Sequence, residues 1–126
     1  MNGNLVRRIT KDDEGNVVSL LLDGMDLAAE EFESLGQIEH LQRISFRRTN
    51  ISSADLKHLR GLKELVMLNL CSTEVKDEVI GELVQLPALR TLCLGDVAIT
   101  PGAIELLKDE FHAQNRKLSL GYSPRE

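Results

Sequence analysis

Apolar residues recur along this chain on a fixed beat. Val17, Leu41, Leu65 and Leu89 stand 24 residues apart, and one skeleton follows each of them, L-x-x-L-x-L-x-x-(T/V/M)-x-(I/L/V). The first unit carries Val17, Leu20, Leu22, Met25, Leu27, Phe32, Leu35 and Ile38, and the second Leu41, Ile44, Phe46, Thr49, Ile51, Leu56, Leu59 and Leu62. The third carries Leu65, Leu68, Leu70, Thr73, Val75, Ile80, Leu83 and Leu86. The fourth carries Leu89, Leu92, Leu94, Val97, Ile99, Ile104 and Leu107, then Glu110 where an apolar residue is due, with Phe111 one step later to take that role. Leu68-Asn69-Leu70 alternates apolar with polar, which suits a short strand with one buried face. Ile80, Leu83 and Leu86 then step at helical intervals, laying one apolar stripe against the strand layer. Self-similarity at a fixed period marks stacked supersecondary units, none of which can bury its apolar face alone, so the pattern predicts a solenoid.

Local signals place the helix starts. Ser52 precedes Asp55 by three residues, a candidate capping box. Thr100-Pro101 offers a capping hydroxyl followed by proline at the first helical position, where the missing N–H costs nothing. Ala28 and Lys76 hold the equivalent place in the other units, so capping is expected to be weaker there. At the N-terminus, Leu5 to Ile9 and Val17 to Leu22 flank the polar run Lys11-Asp12-Asp13-Glu14-Gly15-Asn16, which predicts a β-hairpin that caps the stack. Leu118-Ser119-Leu120 repeats the strand pattern once more, offset by two residues, and Pro124 is expected to discourage further pairing. The expected organisation is one domain over 1–126. A cap spans 1–16, repeats span 17–40, 41–64, 65–88 and 89–114, and a final strand and tail spans 115–126. Both ends read as finished.

The runs "LQRISFRRTNISSADLKHLRGLKE" and "LVMLNLCSTEVKDEVIGELVQLPA" resemble leucine-rich repeats, particularly the short 24-residue type common in bacterial proteins. The resemblance covers residues 17 to about 112. It implies an α/β fold: a right-handed solenoid with a curved parallel sheet on the concave side, short helices on the convex side and a role in protein interaction. One departure stands out. Many family members carry Asn where this chain has Met25, Thr49, Thr73 and Val97, so the turns are expected to rely on Thr hydroxyls and packing instead of an asparagine ladder.

Composition narrows the chemistry. Aromatic content is only 3% of 126 residues, so Leu, Ile and Val carry the core, each contributing roughly 1.5–3 kcal/mol when fully buried. The net charge of −5 argues against nucleic-acid or acidic-membrane partners. No apolar run approaches the ~20 residues that span a bilayer, and the first residues lack the apolar segment of a signal peptide. Cys71 and Cys93 should lie on adjacent strands shifted by two residues, with Cα atoms ~8 Å apart, beyond comfortable disulfide reach. Two free thiols suit a reducing, cytoplasmic setting.

Side chains alternating with the buried strand residues should line the concave face. They are Ser19, Leu21 and Asp23; Arg43, Ser45, Arg47 and Arg48; Met67, Asn69, Cys71 and Ser72; Thr91, Cys93, Gly95 and Asp96; and Lys117, Ser119 and Tyr122. Arg43, Arg47 and Arg48 sit together, and arginine makes bidentate contacts to carboxylates and is enriched at interfaces. The competing reading is a solvated patch balanced by Asp23. Leu21, Met67, Cys71 and Cys93 give the face an apolar centre flanked by charge.

Other constellations are weak. His40, His58 and His112 do not converge with a concave Ser or Cys, so no nucleophile–base pair is expected. Without CxxC spacing, neither metal nor cofactor is expected. Asp12, Glu14 and Asn16 alternate like a calcium loop, but Gly15 is misplaced and no bidentate Glu follows, which favours a turn. Glu30-Glu31-Glu33 and Asp77-Glu78-Glu82 read as solvated helix faces. The chain therefore reads as a non-catalytic, cytoplasmic protein-interaction module, a monomer or weak homodimer. Its partner would contact Arg43, Ser45, Arg47, Arg48, Met67, Asn69, Cys71, Thr91, Cys93 and Tyr122. The alternative is a structural protein that self-associates through terminal edge strands.

Overall fold

The computed structural model describes residues 8 to 125. Alternation in the sequence becomes six strands: β1 (Ile9–Lys11), β2 (Val17–Leu21), β3 (Arg43–Ser45), β4 (Met67–Asn69), β5 (Thr91–Val97) and β6 (Ser119–Pro124). They form one sheet in chain order. The connections carry α1 (Ala29–Leu35), a 3₁₀ segment (Ser53–Leu59), α2 (Val79–Leu83) and α3 (Pro101–Ala113). This mixed α/β arrangement is compatible with a leucine-rich-repeat-like fold.

The sequence period sets the register. β2, β3, β4 and β5 pair in parallel, matching Leu20 with Ile44, Ile44 with Leu68 and Leu68 with Leu92, each 24 residues on. Those matched residues are buried, and one cluster joins them to Phe32 and Leu35, Leu56 and Leu59, Ile80 and Leu83, and Ile104, Leu107 and Phe111 from the connecting segments. One sheet face is thereby covered by helices, and the other stays open. Phe111, at 1% exposure, fills the slot that Glu110 leaves.

Both ends lie outside the 24-residue register. The hairpin exists, β1 pairing antiparallel with β2, but its first strand spans Ile9–Lys11. Residues 5 to 7 of the expected strand lie outside the described residues. Asp12 shapes the turn: its carboxylate accepts the N–H groups of Glu14 and Asn16 and the Asn16 side-chain amide. Gly15 supplies the positive φ of 86° that the turn needs. At the other end β6 pairs Leu120 with Leu92 and continues to Pro124, across a bulge at Gly95. The offset is thus four residues, not two, because the long α3 and a left-handed Asn115 (φ 57°) lengthen the link.

Polar ties between neighbouring units secure the loops. Asn50 Nδ2 donates to the Leu27 carbonyl and Asn50 Oδ1 accepts the Leu27 N–H, both at 2.8 Å. Ser53 Oγ accepts the Lys76 N–H, while Asp77 accepts both the N–H and hydroxyl of Thr100. Thr73 donates to the Leu70 carbonyl at 2.7 Å, the hydroxyl role anticipated for these turns. The acidic clusters are more than solvated faces. Glu31 accepts the Ala28 N–H, capping α1 where the sequence offered no capping side chain, and Glu82 pairs bidentately with Arg60. Gly36, after α1, runs so close to the 3₁₀ segment that a Cβ would overlap the His58 carbonyl. Arg116 lies over the Phe111 ring at 4.1 Å and donates to the carbonyls of Val84, Leu86 and Leu89, closing the last turns. The first unit is looser: Ile9, Leu20, Leu22, Met25, Leu27, Leu35 and Ile38 line a cavity of about 250 Å³.

Candidate docking face

The open sheet face is read off the pairing. Ser19, Arg43, Met67, Thr91 and Ser119 stand side by side across it, followed by a row of Leu21, Ser45, Asn69, Cys93 and Gly121. Arg47, Cys71, Gly95 and Ser123 continue the alternation toward the loops. At the loop rim Gly24, Arg48, Ser72 and Asp96 all adopt left-handed backbone, with φ of 77°, 58°, 57° and 53°. The turn recurs because each chain leaves the sheet while its N–H still reaches the next unit. Gly24 donates to the Arg47 carbonyl, Arg48 to Cys71 and Ser72 to Gly95. A left-handed non-glycine residue costs roughly 1–2 kcal/mol, so Arg48 and Ser72 hold their places against local preference.

Charge on this face is unevenly distributed. Arg43, Arg47 and Arg48 are exposed, and none makes a side-chain hydrogen bond or ion pair among the described residues. Asp23 follows Leu21, whose partner is Ser45, so it sits beside Arg47, yet no ion pair joins them. One Asp23 carboxylate oxygen is buried without a partner among the described residues, and its backbone carbonyl takes the Arg8 guanidinium. Asp96 is engaged elsewhere: Ser72 donates to it at 3.0 Å and Arg125 sits at 3.3 Å. The Ser72 hydroxyl first, and Arg125 second, hold the Asp96 carboxyl below its usual range. Arg125 also reaches Glu74, fastening the C-terminal side of the rim.

Most of the expected contact residues do share this face, but two depart from the expectation. Ser45 points to the open side yet is only 4% exposed. A small side chain between Arg43 and Arg47, and between Leu21 and Asn69, is overhung by longer neighbours and offers little contact area of its own. Tyr122 belongs to the other face. It pairs with Leu94, packs against the core and donates its hydroxyl to the Ile99 carbonyl at 2.6 Å. Alternation from Leu118 and Leu120 leads to that inward position, and Gly121 takes the outward one.

The middle of the face is small and largely uncharged. Met67, Asn69, Cys71, Thr91 and Cys93 are half-buried. Asn69 Oδ1 accepts the Cys71 N–H at 2.9 Å, and Cys71 Sγ accepts the Gly95 N–H at 3.2 Å. The cysteines are unpaired, and burial first, then the neighbouring Cys71, pushes the Cys93 thiol upward, away from reactive thiolate. Leu21 is 43% exposed at the edge of this centre. Among the described residues no group of three or more His, Cys, Asp or Glu is placed to hold a metal ion, and no helix is long and apolar enough to cross a membrane.

Sequence reasoning missed the side chains that hold the face in place, namely Asn50, Asp77, Arg116 and Arg125. The first three sit outside the apolar skeleton, and only a known register reveals their partners 23 to 32 residues away.

No protein-family model matches the chain, and no curated protein does. Among solved structures it is similar to the crystal structure of PEPR1-AtPEP1, at 19% identity and a TM-score of 0.48 over 94% of this chain. The chain spans 20% of the length of that structure, and a likeness at this level carries no functional statement.

Proposed function

We propose that the chain is a non-catalytic protein-interaction module whose open sheet face forms the concave wall of a right-handed, 24-residue leucine-rich repeat solenoid. In this reading residues 17–40, 41–64, 65–88 and 89–114 are four repeats of one domain. A single observation carries the proposal: three exposed arginines, without partners among the described residues, stand on one stretch of an otherwise acidic chain beside Leu21 and Met67. Arginine and methionine are both enriched at protein interfaces. Arginine is also among the side chains that dominate binding energy. Two free thiols suit a cytoplasmic setting, and the net charge disfavours nucleic acid as the partner.

The test is affinity capture from native lysate with the wild-type chain and with Arg47→Glu/Arg48→Glu in parallel. The proposal predicts that specific partners are lost from the double variant. Retention of every partner at wild-type level removes the face from consideration.

A second reading rests on β6. It ends the sheet, and its outer edge has no neighbouring strand among the described residues, so it is able to pair with a second copy. Light scattering across a concentration series distinguishes the two readings. A mass that stays at one chain rules out assembly, and a concentration-dependent dimer abolished by a β6 proline, Leu120→Pro, supports it.

A further inference from the structure

We infer that the open face selects an extended acidic peptide whose same-side residues run apolar, acidic, apolar, with the carboxylate seated beside Arg43 and over Ser45. The inference rests on the docking reading above and names the chemistry that the face prefers. Arg43 and Arg47 bracket Ser45, whose 4% exposure makes it a small hydroxyl-bearing floor between two exposed guanidinium groups. Guanidinium forks match carboxylates bidentately. Asp96 at the rim is held by Ser72 and Arg125, with Arg48 acting on it only at longer range, and Asp23 forms no ion pair with Arg47, so Arg43 and Arg47 have no direct carboxylate partner among the described residues.

Register supplies the spacing. Leu21 is matched with Ser45 and Met67 with Arg43, so these two apolar side chains lie diagonally across β3. With strands ~4.8 Å apart and two residues rising ~6.6 Å, that diagonal measures ~12 Å. An extended peptide places same-side residues i and i+4 ~13 Å apart, with i+2 midway. The middle of the Leu21–Met67 diagonal falls on β3 between Arg43 and Ser45. A peptide that covers both apolar side chains therefore brings its central residue to the arginine, and a carboxylate there gains the charge-assisted contacts.

The probe is a fluorescein-labelled pentapeptide, leucine–serine–glutamate–serine–leucine, titrated against the full chain at low salt by anisotropy. Amide chemical shifts locate its site. Two control peptides replace the central glutamate with glutamine, or exchange it with the first leucine. The expected result is binding of the central-glutamate peptide, with shifts over residues 43–47 and 67–71. Arg43→Gln and Arg47→Gln should each weaken it about tenfold or more, as expected for loss of a charged hydrogen bond, while Arg90→Gln should not change it. Retained amide dispersion in each variant shows that the fold is intact. Equal binding of the glutamine peptide overturns the selection of a carboxylate, and equal binding of the exchanged peptide overturns the spacing. Shifts confined to residues 119–124, or no binding at millimolar peptide, overturn the inference outright. In those cases the docking reading is still judged separately, by the lysate capture.

Discussion

At the scale of single residues, the direction a side chain takes and the solvent it meets are set by different neighbours. Alternation identifies which way a side chain points, and Arg43, Met67 and Thr91 lie on one face as that rule requires. It does not say how much solvent a side chain meets. Ser45 has the expected direction but is buried, and Tyr122 turns inward because it continues the alternation set by Leu118 and Leu120. Polar pairs between units are equally hidden from periodicity. His40 Nδ1 lies 2.8 Å from Glu64 Oε2, one period away, and this hydrogen bond raises the imidazole pKa above its usual 6.5. Protonation is thus favoured in the folded chain. The stabilisation is complete below the unfolded pKa and is lost as the pH rises through the folded one. A histidine titration followed by NMR should place His40 above 6.5, and Glu64→Gln should bring it down toward that value. An unchanged midpoint in the variant contradicts the pairing.

At the scale of elements, strands were legible because the apolar period fixes both their existence and their parallel register. Connecting segments were less so. Residues 53–59 form a 3₁₀ segment, and α2 is only five residues long. A 24-residue unit must return its chain to the sheet within a short span, and the tighter 3₁₀ turn suits short pieces. Close packing between these segments sets a demand that composition does not reveal. Gly36→Ala places a Cβ against the His58 carbonyl, whereas Gly61→Ala meets nothing within 4 Å. Overpacking predicts a loss of about 1–3 kcal/mol for Gly36→Ala. Gly61→Ala should be neutral or gain up to about 1 kcal/mol through a less flexible unfolded chain. Urea denaturation of both variants checks the pair, and equal midpoints would show that the close approach is not a constraint.

At the scale of the whole molecule, the parallel pairing makes one chemical face out of residues drawn from separate units. Ser19, Arg43, Met67 and Thr91 become neighbours only because each lies 24 residues from the next. The ends were read less well than the middle for the same reason. The hairpin and β6 lie outside the strict period, so nothing in the repeat fixed where Ile9 or Leu120 would pair. Arginine exposure along β3 and the turn after it, together with acidic groups engaged at the rim, makes residues 41–49 the focus of the proposed surface. Hydrogen–deuterium exchange on the chain, alone and in complex with a captured partner, tests that claim most directly. Docking on this face slows exchange over residues 41–49 and 65–73 and leaves 117–125 unchanged, whereas slowing confined to 117–125 would contradict it.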